Sequence, residues 1–311
     1  MGIATEQVLF EGDQVTFEDV AARIKAHEIL GSPVEQRKGY SQLIVGDEHP
    51  ADTSAGGVAF GGDVLMNGVP VRRFFPNGKA NREYTSAIVY FHGGGYVFGS
   101  PDTHARLARQ LADRINLPVY LPRYRRAPEH VWPAQMQDAL AVVRQLREEG
   151  VEKIALGGDS AGGHLALTTG LELAKIEQPV DALFLFSPDT DRSGKSDTRE
   201  TNTPKDVMNS HEDDLRNAQI SFGSEYPCDH VQCSPLLDRL TLLPPTHMEV
   251  GDVEVLLGEA QLLHDWGTDQ GATISLHKEP QAFHMWQLWT PYLPEADQSI
   301  QRAVEFIRPY L

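Results

Sequence analysis

The order of apolar and polar positions divides the chain into a polar N-terminal part and a long part of alternating strand-like and helix-like segments. Continuous apolar runs are typical of strands buried on both faces, and their alternation with helices is typical of a parallel sheet covered by helices. The pattern therefore predicts an α/β fold with a mostly parallel central sheet flanked by helices. The runs are SAIVYFH near 86–92, LPVYLPRY near 117–124, KIALGGDS near 153–160, ALFLFSP near 182–188, THMEVGD near 246–252 and ATISLHK near 272–278.

Helix-type spacing fills most of the intervals between these runs. Apolar positions recur every three or four residues in 103–115 and 135–149, and the closing stretch 295–311 has the same amphipathic spacing. Ahead of the sheet region, residues 58–77 alternate weakly in polarity around Asn67-Gly68, a dipeptide typical of a hairpin turn. We therefore expect a hairpin before the parallel part of the sheet.

One interval, residues 189–228, breaks the alternation. It is polar, contains no apolar β-rich run and lies between two predicted strands. A connection of this length is usually a lid, a cap or a disordered loop. The helical spacing within DVMNSHEDDLRNAQISFG favours an ordered cap. The N-terminal part is also polar, with apolar residues at helical spacing: Val20, Ile24, Ile29 and Leu30.

Composition narrows the classes of function. With 311 residues, 41% hydrophobic content and a formal net charge of −17, the chain can bury a large core but offers little attraction to phosphate backbones or anionic lipid. No apolar run approaches the roughly 18 residues that a spanning helix needs, and the acidic first residues lack the features of a signal peptide. We therefore expect a cytoplasmic protein with no nucleic acid or stable membrane partner. Cys228 and Cys233 flank His230 at a spacing unusual for zinc, so we expect free thiols and no metal.

The pentapeptide Gly158-Asp159-Ser160-Ala161-Gly162 is the first candidate for chemistry. It follows the apolar run KIALG and precedes a helix-like stretch, AGGHLALTTGLELA. A G-x-S-x-G sequence in this context is typical of a sharp strand-to-helix turn that exposes a nucleophilic serine. The flanking glycines avoid collisions that a Cβ atom would cause, and the helix N-terminus favours developing negative charge. Ser160 is therefore the predicted nucleophile.

A second glycine-rich sequence, His92-Gly93-Gly94-Gly95, follows an earlier predicted strand. Consecutive glycines let backbone amides approach an oxyanion without obstruction by side chains. A phosphate-binding loop is the competing interpretation, but the chain contains no G-x-x-x-x-G-K-[ST] sequence. We therefore predict an oxyanion hole formed by the amides of Gly93 and Gly94 with that of Ala161, the residue after the nucleophile.

A serine nucleophile needs a base and an acid that orients the base. In enzymes with this type of serine turn, the acid and then the histidine follow the serine along the chain. His284 lies after the last predicted strand, whereas His264 falls within a helical pattern and His277 within a strand, so His284 is the predicted base. Asp252 and Glu254 both follow the preceding strand, and their spacing alone does not separate them.

The ordered set of motifs resembles the hormone-sensitive-lipase family of α/β hydrolases, the bacterial class IV esterases. The resemblance runs from about residue 86 to the end, and PVEQRKGYSQL extends it into the N-terminal part. The motifs in chain order are HGGG at 92–95, YRRAPEH at 124–130, GDSAGGHLAL at 158–167, VGDVEVLLGEAQLL at 250–263 and AFHMW at 282–286.

The resemblance implies a triad of Ser160, His284 and an acid, and it requires no metal or organic cofactor. The family's Asp-Pro-Leu sequence aligns with Glu254-Val255-Leu256, which favours Glu254 over Asp252 as the acid. Because members of the family are often dimers, a homodimer is a further expectation.

The resemblance also implies a cap built from two separated segments. The first cap segment would comprise residues 1–50 and the second cap segment residues 189–228. The α/β-hydrolase core would then comprise residues 51–188 and 229–311. This division treats the chain as one catalytic domain with a cap rather than as two independent domains.

The implied activity is that of a serine carboxylesterase acting on short- to medium-chain esters through an acyl-enzyme on Ser160. The same triad serves lactones, carbamates, acetylated natural products and amides, so these substrates are the alternative. A non-catalytic receptor for a small ligand is a third interpretation, which the presence of both Ser160 and His284 disfavours. Candidates for the pocket lining, each equally compatible with the core, are Tyr96, Phe98, Trp286 and Trp289.

Overall fold

The strands form one sheet that runs through the described part of the protein. The computed structural model describes residues 15–27, 29, 31–46, 59–76 and 83–311. The strands of its sheet are β1 (Ala59–Met66), β2 (Val69–Phe75), β3 (Ser86–Phe91), β4 (Val119–Pro122), β5 (Lys153–Asp159), β6 (Ala182–Phe186), β7 (Thr246–Gly251) and β8 (Ile274–Glu279).

The order of strands across the sheet is β1-β2-β4-β3-β5-β6-β7-β8. Strand β2 is antiparallel to both of its neighbours, and all other neighbouring pairs are parallel. β1 and β2 form the predicted hairpin, with Met66 paired to Val69 across the Asn67-Gly68 turn. The predicted α/β fold with a mostly parallel sheet is confirmed.

Helices cover both faces of the sheet. They are α1 (Phe17–Ala26), α2 (Pro33–Val45), α3 (Ala105–Ile115), α4 (Ala134–Glu148), α5 (Ala161–Lys175), α6 (Thr198–Thr201), α7 (His211–Phe222), α8 (Leu257–Asp269) and α9 (Pro294–Ile307). In none of the described helices do length and apolarity suffice for a membrane span.

Alternation along the central strands explains the two hydrophobic layers. In β3, Ile88 and Tyr90 join a cluster that includes α3 and α9, whereas Val89 and Phe91 join a cluster that includes α4 and α5. Successive side chains of a strand point to opposite faces, so a strand covered on both sides must be apolar throughout. All six residues of β3 are accordingly buried.

The polar N-terminal part contains two short helices with strong start signals. Thr16 and Asp19 form a reciprocal capping box at α1, and Ser32 and Glu35 form another at α2. Such caps bond backbone amides that a helix leaves without partners in its first turn. The predicted helical spacing holds for the buried residues Val20 and Ile24, whereas Leu30 lies outside the described residues.

The predicted polar interval 189–228 is ordered and contains α6 and α7. Ser210 caps α7 by accepting from the amide of Asp213, and three acidic residues occupy the first turn of the helix. Acidic side chains at that end interact favourably with the helix dipole. Part of the acidity of the chain therefore stabilises a helix beside the carboxyl ends of the strands.

Candidate active site

Ser160 lies in a strained turn between β5 and α5. Its φ is +52°, a left-handed conformation that non-glycine residues rarely adopt. A Cβ atom at Gly158 would lie 2.3 Å from the carbonyl carbon of Gly162, and one at Gly162 would lie 2.0 Å from the carbonyl oxygen of Phe91. Only glycine therefore fits at positions 158 and 162. This requirement is the reason why the G-x-S-x-G sequence predicts the turn.

Two loops bring a histidine and a carboxylate to the serine. The imidazole of His284 lies with Nε2 2.9 Å from the Oγ of Ser160 and with Nδ1 2.9 Å from the Oε2 of Glu254. Glu254 follows β7 and His284 follows β8, and parallel strands end at the same edge of the sheet. Asp252, the alternative acid, is instead exposed, and its Oδ1 accepts from the amide of Gln281.

The carboxylate of Glu254 is fixed by donors on its second oxygen. The hydroxyl of Ser187 donates to Oε1 over 2.7 Å, and the amide of Gly251 donates to the same atom over 2.6 Å. The side chain is fully buried, so these bonds replace water and leave Oε2 for His284. The sequence analysis missed Ser187, since a serine after a buried strand carries no motif of its own.

The electrostatic surroundings of His284 favour its protonated form. Burial lowers the pKa of the imidazole, but the neighbouring carboxylates act in the opposite direction and outweigh it. Glu254 supplies a hydrogen bond and a charge, and Asp206 and Asp159 add further negative charge, so the pKa of His284 lies above its ordinary value. Such an imidazole is a suitable acceptor for a hydroxyl proton.

The amides of the glycine-rich loop that are available to an oxyanion differ from those predicted from the sequence. The amide of Gly93 donates to Oδ2 of Asp159 over 3.1 Å, inside the buried core, and a Cβ atom at Gly93 would lie 2.2 Å from that oxygen. The prediction of Gly93 as an oxyanion donor is therefore corrected. Gly94 and Gly95 line the same cavity as Ser160, and their amides have no acceptor among the described residues.

Positive backbone angles turn this loop toward the cavity. The φ of Gly94 is +111° and that of Gly95 is +58°. A Cβ atom at Gly94 would lie 2.7 Å from the backbone of Phe98, and one at Gly95 would lie 2.6 Å from the amide nitrogen of the Asn217 side chain. Ala161 follows Ser160 at the first position of α5, where helix amides have no partner within the helix. The available amides are thus those of Gly94, Gly95 and Ala161.

A cavity of about 500 Å³ opens above the serine. Its floor includes Gly94, Gly95, Phe98, Ser160, His284 and Met285. Residues of α1 and α2 form one wall, with Ile24, Pro33, Tyr40 and Leu43. Residues of α7 and the loop before it form the other, with Val207, Met208, Asn217 and Ile220. The sequence analysis did not identify the residues of either wall, because helical spacing shows which face is apolar but not which helices meet.

Of the predicted pocket residues, Phe98 lines the cavity and stacks on Tyr40. Tyr96 does not line it: its ring packs against Trp132 in the core, and its hydroxyl lies 2.6 Å from Nδ1 of His164. Trp286 and Trp289 are also fully buried in the core, in the cluster that contains α3 and α9. The predictions for Tyr96, Trp286 and Trp289 are wrong, because proximity in sequence to a motif does not fix the direction of a side chain.

Potential metal ligands lie close together at the same place. Ligand-type atoms of Asp206, Glu254 and His284 all lie within 4.8 Å of one another. Both ring nitrogens of His284 are, however, engaged by Ser160 and Glu254, and the Asp206 carboxylate accepts backbone amides. The atoms are therefore arranged for hydrogen bonding to one another and to the backbone.

The cysteine loop contains two free thiols, as predicted. Cys233 is buried, and burial raises its pKa to about 11. His230, between the two cysteines, contacts the ring of Tyr226, and its Nδ1 accepts from the amide of Gln232. The histidine therefore has a structural role in the turn.

Comparison with known proteins identifies relatives of the whole arrangement. A family described as having the alpha/beta hydrolase fold matches residues 88–288. An acetyl-hydrolase of Streptomyces hygroscopicus is 33% identical over 230 residues, which cover 73% of this chain and 77% of the relative. An esterase of Acinetobacter venetianus is 30% identical over 236 residues, which cover 73% of this chain and 76% of the relative.

Solved structures agree over a larger part of the chain. The crystal structure of an esterase from the bacterial hormone-sensitive lipase family superposes with a TM-score of 0.86 at 30% identity. The superposition covers 94% of this chain and 97% of the other. A hormone-sensitive lipase from a metagenome library superposes with a TM-score of 0.84 at 26% identity, over 94% of this chain and 96% of the other.

Proposed function

Because the chain belongs to the α/β-hydrolase family, in its hormone-sensitive-lipase branch, and is a carboxylic ester hydrolase, we propose that it is a serine esterase that cleaves short- to medium-chain esters through an acyl-enzyme on Ser160. The observation that carries this proposal is the continuous hydrogen-bonded chain from Ser160 through His284 to Glu254. A nucleophile, a base and an orienting acid within hydrogen-bond reach are what acyl transfer requires.

In the first half of the reaction, the Oγ of Ser160 attacks the ester carbonyl carbon. His284 accepts the hydroxyl proton on Nε2 as the new C–O bond forms, and the carbonyl electron pair moves onto oxygen. Glu254 holds the Nδ1–H tautomer and stabilises the imidazolium. His284 then donates the proton to the leaving alcohol oxygen as the bond between that oxygen and the carbonyl carbon breaks.

We assign stabilisation of the oxyanion to the amides of Gly94, Gly95 and Ala161. Each such donor contributes roughly 3 kcal/mol to lowering the barrier, because it is already oriented and needs no reorganisation during the reaction. In the second half of the reaction, His284 accepts a proton from a water molecule as the water oxygen attacks the acyl carbon. The bond between that carbon and the Oγ of Ser160 then breaks, the carboxylic acid leaves, and His284 returns the proton to Oγ. No metal or organic cofactor takes part in this scheme.

We further propose that the first and second cap segments, residues 1–50 and 189–228, shape the substrate site above a core of 51–188 and 229–311. Support comes from the cavity, whose walls come from α1 and α2 on one side and from α7 on the other. A volume of about 500 Å³ lies in the range typical of small-molecule sites. Small esters with short or medium acyl chains fit that range.

Acetyl esters are the most specific alternative within this class. A relative from Streptomyces hygroscopicus is named an acetyl-hydrolase, and it matches this chain over 230 residues. The proposed triad also serves lactones, carbamates and amides, since all of them pass through a tetrahedral oxyanion. A panel of p-nitrophenyl acetate, butyrate and octanoate with a simple lactone and an acetylated amine would rank these substrates.

Replacement of the nucleophile tests the mechanism. We expect Ser160→Ala to abolish hydrolysis of p-nitrophenyl butyrate and labelling by a fluorophosphonate probe, while the circular dichroism spectrum stays that of the wild type. Ser193→Ala is a matched control, because this serine lies in the second cap segment with its hydroxyl bonded to Asp191. Wild-type-like turnover of the Ser160→Ala protein would overturn the mechanism, and a wild-type protein that neither labels nor turns over esters would favour a binding protein.

A further inference from the structure

A buried carboxylate from the second cap segment bridges the two loops that carry the acid and the histidine. Oδ2 of Asp206 accepts from the amide of Val255, next to Glu254, over 3.2 Å. Oδ1 accepts from the amide of His284 itself over 3.2 Å. We propose that Asp206 is a positioning residue that holds the backbones of the acid and the histidine in register for the Ser160 reaction.

Hydrogen bonds with neighbouring residues of the second cap segment hold Asp206 itself in place. The amide of Met208 donates to Oδ1 of Asp206 over 3.1 Å, which fixes the orientation of the carboxylate. The amide of Asp206 donates to the carbonyl oxygen of Asn202, and the side-chain amide of Asn202 donates to the carbonyl oxygen of Glu254. The second cap segment therefore holds the acid loop through the carbonyl of Glu254 and the amide of Val255, and the hydroxyl of Thr198 adds a bond to the carbonyl of Val255 over 2.9 Å.

Backbone positions matter at this site because the catalytic distances are short. A shift of about 1 Å in the loop of His284 would separate Nε2 from the hydroxyl that it must deprotonate, and a misplacement of that size can cost roughly 10²-fold in rate. The Asp206 side chain is buried, so its bonds to both loops do not compete with bulk water. Ser187 and Gly251, which belong to the core, donate to the carboxylate of Glu254. The acceptor for the amide of His284 is Asp206, which belongs to the second cap segment.

The charge of Asp206 also acts on the imidazole. Burial raises the pKa of Asp206 to about 6; the charge of His284 opposes that rise and the charge of Glu254 adds to it. The charged groups that act on His284 are Glu254 from the loop after β7, Asp206 and Asp214 from the second cap segment and Asp159 from β5. When ionised, Asp206 stabilises the imidazolium that forms in both halves of the reaction.

The test is a comparison of Asp206→Asn and Asp206→Glu with the wild type. The asparagine variant keeps one acceptor oxygen and loses the charge, whereas the glutamate variant keeps the charge and displaces the oxygens. We expect both to lower kcat for p-nitrophenyl butyrate by about tenfold or more, with a smaller change in KM, because the variants disturb the reacting groups.

The pH profile separates positioning of the triad from a merely structural role. Removal of a negative charge beside His284 lowers the pKa of the imidazole, so the acid limb of kcat/KM moves to lower pH. We expect a shift of about half a pH unit or more for Asp206→Asn. The acid limb of Asp206→Glu should stay close to that of the wild type.

Asp252→Asn is the matched control. Asp252 also bridges the loops after β7 and β8, through the amide of Gln281, but it is exposed and does not contact His284. We expect its kcat and acid limb to match the wild type. A wild-type kcat and an unmoved acid limb in Asp206→Asn would overturn the inference, as would equal losses in Asp206→Asn and Asp252→Asn.

Folding and the proposed function are monitored separately. If Asp206→Asn does not fold, as judged by circular dichroism, the Asp206→Glu protein alone decides, since a wild-type kcat in that variant contradicts the positioning role. The inference rests on the proposed function, whose own failure appears as an inactive, unlabelled wild type. An active wild type together with unaltered Asp206 variants would instead overturn only the inference.

Discussion

The first and second cap segments border the same cavity but are anchored to the core in different ways. In the first cap segment, Arg37 on α2 donates to the carbonyl oxygens of Val97 and Ala127 and pairs with Glu129. About half of the Glu129 side chain is exposed. This anchor therefore lies at the protein surface, where water and salt weaken the ion pair.

The second cap segment contains a cluster of buried ion pairs, and one of them, between Arg199 and Glu259, joins the segment to the core. Arg199 pairs with Asp189 and Asp214, and over 2.6 Å with Glu259 of α8. Arg192 pairs with Asp189 and Asp214. None of these side chains is more than 6% exposed. Burial makes such a cluster depend on every partner, because the loss of one leaves an uncompensated charge.

The two walls of the cavity also differ in their contacts with the loops that carry Glu254 and His284. The second cap segment carries Asp206 and Asn202, which contact the loops of Glu254 and His284. In the proposed mechanism, these loops carry the acid and the base. The first cap segment contributes wall residues such as Ile24 and Leu43 to the cavity, and its buried residues Val20 and Ile44 pack into the hydrophobic core.

The largest effect should come from breaking the buried anchor. We expect Arg199→Leu to lower the free energy of unfolding by about 3–5 kcal/mol, because it leaves the buried carboxylate of Glu259 without its ion pair and leaves Asp189 and Asp214 with Arg192 as their cationic partner. Urea denaturation followed by circular dichroism measures the change. Arg216→Leu on α7 is the control, since Arg216 forms an exposed pair with Asp213 and should cost less than about 1 kcal/mol. Equal effects of the two substitutions would contradict the distinction between buried and exposed anchors.

A smaller effect should follow from removal of the surface anchor. We expect Arg37→Met to lower the free energy of unfolding by about 1–3 kcal/mol, because two carbonyl oxygens lose a charged donor while the aliphatic stem is retained. The substitution should raise KM for p-nitrophenyl butyrate by a larger factor than it lowers kcat, since α2 forms a wall of the cavity and does not contact His284. A drop in kcat with KM unchanged would indicate that the first cap segment positions the catalytic residues, which is the role that we propose for the second cap segment.

The smallest effect is expected for the exposed partner of Arg37. The guanidinium of Arg37 lowers the pKa of Glu129 to about 2, through a hydrogen bond and charge. The pair is nevertheless exposed, so Glu129→Gln should lower the free energy of unfolding by less than about 1 kcal/mol. We expect the difference from the wild type to shrink further in 1 M salt, where the screening length is about 3 Å. A difference that persists at that salt concentration would indicate that the pair is more enclosed than its exposure suggests.

Local chemistry explains which parts were predictable from the sequence. The serine turn at Ser160 was predictable because its strand, its glycines and its helix are adjacent in the chain and no other residue types satisfy the geometry. The strands were predictable because burial on both faces imposes continuous apolar runs. The choice of Glu254 over Asp252 came from the resemblance, since the two residues differ in burial and partners rather than in spacing.

Long-range contacts explain what the sequence did not reveal. The amide of Gly93 is engaged by Asp159, which lies 66 residues away, and no feature of the glycine run indicates which amide meets that carboxylate. Asp206 lies in a polar stretch where acidic residues are common, and its importance emerges only when the loops of Val255 and His284 approach it. Tyr96 was misassigned for the same reason, because a tertiary contact with His164 determines its direction.

The carboxylate of Asp159 has a consequence for how this protein could be altered. It accepts from the amide of Gly93 on Oδ2 and from the hydroxyl of Tyr90 on Oδ1, so the glycine-rich loop is joined within the core to the last residue of β5, which precedes Ser160. In the proposed mechanism, the backbone amides that polarise the ester carbonyl are thus held relative to one another by contacts within the core. If a second cap segment from another protein were grafted onto this core, those contacts would be preserved. The grafted segment would, however, need its own equivalent of Asp206 to hold the loops of Glu254 and His284 in position.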